Sequence, residues 1–222
     1  MKFDVLTLFP EMIESYCNCS ILKRAKDSGL ISVNSINPRD YTEDKHKKVD
    51  DTPYGGGAGM VLMAQPYVDA YESVEKLSNS CTLMMTPQGE TFNNEIAREL
   101  SSFEQIIILC GHYEGYDERI REIIKPREIS IGDFVLTGGE LPALCLIDCV
   151  SRKIDGVLGK IQSADEDSFE NGLLEYPQYT KPREYRGLAV PEVLLNGNHK
   201  EIREFRMQQM LERTKQRRPD LL

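Results

Sequence analysis

The segment Gln105-Ile106-Ile107-Ile108-Leu109-Cys110, closed by Gly111, constrains the fold more than any other stretch of the chain. Its apolar residues run without polar alternation, so a strand built from them has to be covered on both faces. Such a strand belongs at the centre of a sheet with helices on either side. Phe3–Phe9 reads as an opening strand, and Leu30–Ile36, Cys81–Thr86 and Glu128–Ile131 as further strands. Pro87-Gln88-Gly89 is expected to close the third of these four. Met12, Ile13, Tyr16, Ile21 and Leu22 recur at helical intervals, which predicts one helix from Pro10 to a stop at Gly29. Gln65–Leu77, Asn93–Leu100, Asp117–Ile124 and Leu141–Arg152 supply the other helices. Strands alternating with helices mean an α/β fold with a mostly parallel sheet.

Beyond Gly156 the texture changes to Ser, Asp, Glu and Asn, and helical periodicity returns only near the basic stretch Glu201–Arg217. In 222 residues this favours two unequal domains. The net charge of −9 argues against wholesale coating of nucleic acid, yet charge is unevenly spread. Ser163–Tyr176 holds five acids and no base, whereas His199–Arg218 sets seven bases against three acids. Lys45-His46-Lys47-Lys48 is a second basic cluster. Local patches of this kind can grip a polyanion, or can simply be solvated faces. The longest apolar run, Leu141–Val150, is broken by Asp148 and is too short to span a bilayer. Asp4, Pro10 and Glu11 interrupt any signal-peptide core. A cytoplasmic protein is expected. The six cysteines lack CxxC spacing and read as small buried hydrophobes in a reducing compartment. No metal-ligand spacing is visible among them or the three histidines.

Three segments are rich in glycine: Pro53–Met60, Gly111–Arg119 directly after the buried strand, and Ser130–Pro142. Loops that follow neighbouring parallel strands converge where open α/β sheets bind ligands. Glycine there allows close backbone approach. The first segment lacks the Gly-Lys-Ser/Thr ending of a P-loop, and none gives G-x-G-x-x-G after a strand. The turn after the first strand, Phe9-Pro10-Glu11, carries no glycine, which argues against the Rossmann type of methyltransferase.

Two loops resemble the bacterial tRNA (guanine-N1)-methyltransferase family, TrmD, of the SPOUT superfamily. They are Gly111-His112-Tyr113-Glu114-Gly115-Tyr116-Asp117-Glu118-Arg119 and Ser130-Ile131-Gly132-Asp133-Phe134-Val135-Leu136-Thr137-Gly138-Gly139-Glu140-Leu141-Pro142. The likeness continues, in order, through Tyr54–Met60, Pro87-Gln88-Gly89, Glu166–Phe169, Tyr179–Pro182 and Arg217–Pro219. It implies a trefoil-knotted α/β domain over residues 1–158, which binds S-adenosylmethionine. Residues 159–174 would be a flexible acidic linker carrying a catalytic aspartate, and 175–222 a basic, mainly helical tRNA-binding domain. The cofactor residues it implies are Met84, Met85 and Thr86, then Gly111, Tyr113, Glu114 and Gly115. From the third loop come Ile131, Gly132, Asp133, Phe134, Val135, Leu136, Gly138, Gly139 and Pro142. Phe134 stands where the family usually has tyrosine, and Met84 where an aromatic is frequent.

The resemblance also implies the chemistry. Guanine N1 is a poor nucleophile until it loses its proton, and a placed carboxylate can take it. Asp167 falls on the family's catalytic aspartate, beside the like charges Asp165 and Glu166; taken alone, the run would read as a solvated acidic linker. Arg152 matches the arginine that faces the charge growing on O6; alone, it would read as a helix-terminal arginine meeting the helix dipole. The family is a homodimer with its site across the interface, and Leu141–Val150 is a candidate contact face that ordinary core would explain equally well. The target is the guanine at position 37 of tRNA, 3′ of the anticodon. Magnesium has been associated with the activity, but no ligand set for it stands out here. The alternatives are an RNA-binding module of this type without catalysis, a phosphate-handling enzyme using the Gly55–Gly59 loop, and a ribose-methylating relative.

Overall fold

The computed structural model describes residues 1–158 and 167–222. The chain divides into two compact units, residues 1–159 and 160–222.

The first unit is built on five parallel strands: β1 (Lys2–Leu6), β2 (Ser32–Ile36), β5 (Ser80–Thr91), β6 (Gln105–Cys110) and β7 (Arg127–Ser130). Their order in the sheet is β2-β1-β6-β5-β7, which puts the apolar segment in the middle. Every residue of β6 is buried. The pleat sorts its side chains into two cores. Ile106, Ile108 and Cys110 face α1 (Pro10–Cys17), α2 (Ser20–Asp27), α4 (Asn94–Leu100) and α6 (Glu140–Ser151). Ile107 and Leu109 face α3 (Ala64–Glu72) and α5 (Glu118–Ile124). Full burial of each such side chain contributes roughly 1.5–3 kcal/mol, and this one strand therefore anchors both layers.

Several expectations shift. Pro10–Gly29 is two helices, because Ser20 adopts φ 48° and breaks the run after Asn18 and Cys19. The third helix ends at Glu72, short of Leu77. β5 does not stop at Thr86; it passes through Pro87-Gln88-Gly89 to Thr91, with Met85 and Glu90 both opposite Ile129. Between β2 and α3 the chain forms a short antiparallel pair, β3 (Asp50–Asp51) with β4 (Val61–Leu62). Of the cysteines, Cys17 and Cys110 are buried, but Cys19 and Cys145 are exposed.

In the second unit α7 (His199–Arg217) is capped by Asn198, whose side chain accepts from the amides of Lys200 and Glu201. A hairpin of β8 (Glu184–Tyr185) and β9 (Leu188–Ala189) precedes it, turning through Arg186 and Gly187 at positive φ. Among the described residues no helix is long and apolar enough to cross a membrane.

Candidate functional site

One segment inside β5 and the two loops that follow β6 and β7 enclose a cleft of about 500 Å³. The irregular stretch of β5 contributes Met85, Thr86, Pro87 and Gln88. The loop after β6 contributes Gly111, His112, Tyr113, Glu114 and Gly115, and the loop after β7 runs from Ile131 through Phe134, Val135 and Leu136 to Gly138 and Gly139. Pro142, in the first turn of α6, closes it. The cleft thus gathers all of the expected cofactor residues except two. Met84 is fully buried with its side chain in the α3–α5 core, and Asp133 is exposed and does not line the cleft.

The loops are tied together. The Gly139 amide donates to the Gly111 carbonyl at 2.9 Å, and His112 pairs with Gly138 in an isolated bridge. At Gly138 only glycine fits: a Cβ there would overlap the His112 imidazole and lie 2.5 Å from Glu140 Oε2. Beneath this contact sits a buried network. Glu140, 1% exposed, opens α6, where the helix dipole favours a carboxylate. Its Oε1 accepts from Thr7 Oγ1 at 2.6 Å and its Oε2 pairs with His112 Nε2 at 2.8 Å. The Thr7 hydroxyl in turn accepts from the Phe9 amide at 2.9 Å, and the Phe9 ring lies 4.7 Å from that of His112. The exit of β1, the loop after β6 and the start of α6 are therefore held by one carboxylate.

Under the loop, Tyr67 donates to the Cys110 carbonyl at 2.9 Å and meets Tyr116 edge-on. Burial pushes the Tyr67 and Tyr116 phenols and the Cys110 thiol well above their usual values, so all three stay protonated at neutral pH. The Tyr116 hydroxyl is buried and meets no hydrogen-bond partner among the described residues. The glycine-rich segment before β4 backs the same loop: the Glu114 amide donates to Met60 O, and the Leu62 amide to Gly115 O.

Of the two expected catalytic residues, the one in the first unit, Arg152, does not line the cleft. Arg152 follows the last residue of α6, is half-buried, and borders a cavity of about 150 Å³ with Tyr16, Asp148 and Ser151. At about 1.5 Å rise per residue, it stands roughly 15 Å along the helix from Pro142. Asp167 belongs to the second unit, half-buried in a turn where its carbonyl accepts from the Glu170 amide at 3.3 Å. That turn is fastened to α7 by the Leu174 amide, which donates to Thr214 Oγ1 at 2.8 Å. Asp165 and Glu166 lie outside the described residues. Lys45, His46, Lys47 and Lys48 are exposed in the first unit; Lys200, Arg203, Lys215 and Arg217 are exposed on α7. Among the described residues no group of three or more His, Cys, Asp or Glu is gathered for a metal ion.

Sequence reasoning missed Thr7, Tyr116 and Glu140. A signal existed for Glu140 alone: a single acid at the head of a helix otherwise apolar to Ile147.

The tRNA (Guanine-1)-methyltransferase family model, TrmD, matches residues 1–222. A tRNA (guanine-N(1)-)-methyltransferase of Carboxydothermus hydrogenoformans is 57% identical over 222 residues, covering 100% of this chain and 87% of the relative. Those named the same in Staphylococcus epidermidis and Moorella thermoacetica are each 56% identical, over 100% of this chain and 91% and 90% of theirs. With a cleft built from the family's loops and a match from first residue to last, the chain belongs to the tRNA (guanine-1)-methyltransferase family TrmD.

Proposed function

We propose that this chain methylates N1 of guanine 37 in tRNA, beside the anticodon, using S-adenosylmethionine. The observation that carries this reading is the cleft formed by the loops after β6 and β7, in a chain whose full length matches the family. The cleft suits that cofactor. Its size lies in the range of small-molecule sites, its walls offer backbone at Gly111, Gly138 and Gly139, and Ile131, Phe134, Leu136 and Pro142 provide apolar contact. When bound, S-adenosylmethionine supplies an electrophilic methyl on a sulfonium whose departure is neutral.

The protein's residues act on the other reactant. Asp167 takes the N1 proton. Arg152 aims its guanidinium at O6, where charge grows only in the transition state, so the contact favours rate over ground-state binding. Glu114, on the cleft wall, opposes positive charge. Lys45–Lys48 and the exposed cations of α7 hold the RNA backbone. Arg152 and Pro142 lie at opposite ends of α6, and the family likeness implies a homodimer whose site crosses the interface; in such a dimer the catalytic arginine serves the cleft of the second copy. Exposed Leu141 and Cys145 on α6, with Met12 and Tyr16 on α1, give that dimer an apolar face. Action on tRNA places the work in the cytoplasm.

The test is mass mapping of an unmodified tRNA transcript after incubation with protein and cofactor. A methyl on N1 of guanine 37 is expected. Asp167→Asn should lower turnover by about 10²-fold or more while cofactor affinity stays within twofold. If the wild type leaves every nucleoside unchanged yet binds tRNA, the protein is an RNA-binding member of the family without catalysis.

A further inference from the structure

The second unit carries a cleft of its own, about 480 Å³, between the segment 176–183, the turn at Leu194 and Leu195, and α7. It takes in the motif Tyr179-Thr180-Lys181, to which the methyl-transfer chemistry gives no task. Val190, Leu194, Leu195 and Ile202 give it an apolar share of lining. Tyr176, Tyr179, Lys181, Arg183 and Arg206 make another share aromatic and cationic. The Arg206 guanidinium lies 4.5 Å over the ring of buried Tyr176, while Tyr179 is 48% exposed. Lys181 and Arg183 are exposed on the cleft lining, and Glu192 steadies Arg183 with contacts of 2.6 and 2.9 Å. Among the described residues no acid lines the cleft, and Glu192 reaches it only through its pair with Arg183, in a chain of net charge −9. The occupant that matches a flat ring face, apolar lining and three cations is an anion carrying an aromatic base.

Resting on the tRNA reading above, we propose that this cleft takes one unstacked nucleotide of the substrate RNA, separate from the methylated guanine. The base stacks on Tyr179 and the apolar lining. The phosphate is met by Lys181 and Arg183. Stacking on an aromatic ring is tolerant of base identity, so the site adds grip and register rather than sequence choice.

The experiment compares full-length wild type with Tyr179→Ala, Tyr179→Phe and Lys181→Glu, each first checked for an unchanged thermal midpoint. It reads KM for tRNA, kcat, cofactor affinity by calorimetry, and the salt dependence of tRNA binding. Tyr179→Ala should raise KM for tRNA about tenfold or more with cofactor affinity unmoved, and Tyr179→Phe, which keeps the ring, should recover most of the loss. Lys181→Glu should weaken tRNA binding and lower the magnitude of its salt slope by about one. If the wild type methylates tRNA but both Tyr179→Ala and Lys181→Glu keep its KM within twofold, the cleft is not an RNA contact. A shift of Lys181→Glu to a smaller species in sedimentation would assign the cleft to an interface between copies and likewise overturn the proposal. A wild type that methylates nothing would overturn the reading beneath it instead.

Discussion

At the scale of single residues, the cleft is shaped in part by side chains beneath its lining, Glu140 and Thr7, which hold the lining residue His112 in place. Glu140 is buried where it meets two donors from segments far apart in sequence, Thr7 and His112. A carboxylate in such a place is tolerated only while its lone pairs are occupied. Thr7→Val keeps the shape but leaves Glu140 Oε1 short of a donor and the Phe9 amide short of an acceptor. The expected loss is about 1–3 kcal/mol, read as a lower urea midpoint. Because the network also fixes the loop after β6 against α6, cofactor affinity measured by calorimetry should fall several-fold in the same variant. A midpoint that holds would make the carboxylate self-sufficient. None of this was legible beforehand. Thr7 reads as one more strand residue, and only the fold reveals that it points at Glu140, 133 positions away. The loops were legible as a candidate pocket because they follow parallel strands, and the individual lining residues because those loops resemble the family's motifs.

At the scale of elements, the strand read most surely from sequence, β6, is the one whose environment admits a single pattern: apolar on both faces. Elements whose limits depend on local backbone were read less well. Ser20 at φ 48° splits the first helix, and nothing in a row of helix-compatible residues announces a left-handed serine. The second surprise matters more for function. Pro87 signals a stop, but β5 absorbs it by looping out residues between Met85 and Glu90, and the excursion becomes one wall of the cleft. Gly89 makes this workable: a Cβ there would overlap the β7 backbone at Glu128 and Ile129, which has no flexible end to yield. Gly89→Ala should therefore part β5 from β7 and cost about 1–3 kcal/mol in denaturant titration. Cofactor affinity should weaken with it, since Thr86, Pro87 and Gln88 ride on that register. A variant as stable as wild type would show that the edge strand can shift freely.

At the scale of the whole molecule, family membership implies a knotted chain path, and the loop after β7 does come back against the exit of β6, through the Gly139–Gly111 hydrogen bond. That return starts α6 at the cleft and carries Arg152 away from it. If the proposed dimer is right, each active site combines the cleft of one copy with Asp167 and Arg152 of the other. This division of labour has a consequence that a self-contained site lacks. Take Gly138→Val, which crowds the cleft at His112 and Glu140, and Asp167→Asn, which leaves the cleft whole; each alone should be inactive. Dissociate an equal mixture and let it reassociate at random. About half the dimers are then mixed by C₂ assortment. In each mixed dimer the intact cleft of the Asp167→Asn copy is served by the aspartate of the Gly138→Val copy. One site in two works, so the mixture should regain about a quarter of wild-type turnover. Were cleft and aspartate to act within one chain, no pairing of these two variants could build a complete site, and the mixture would stay as dead as its parts.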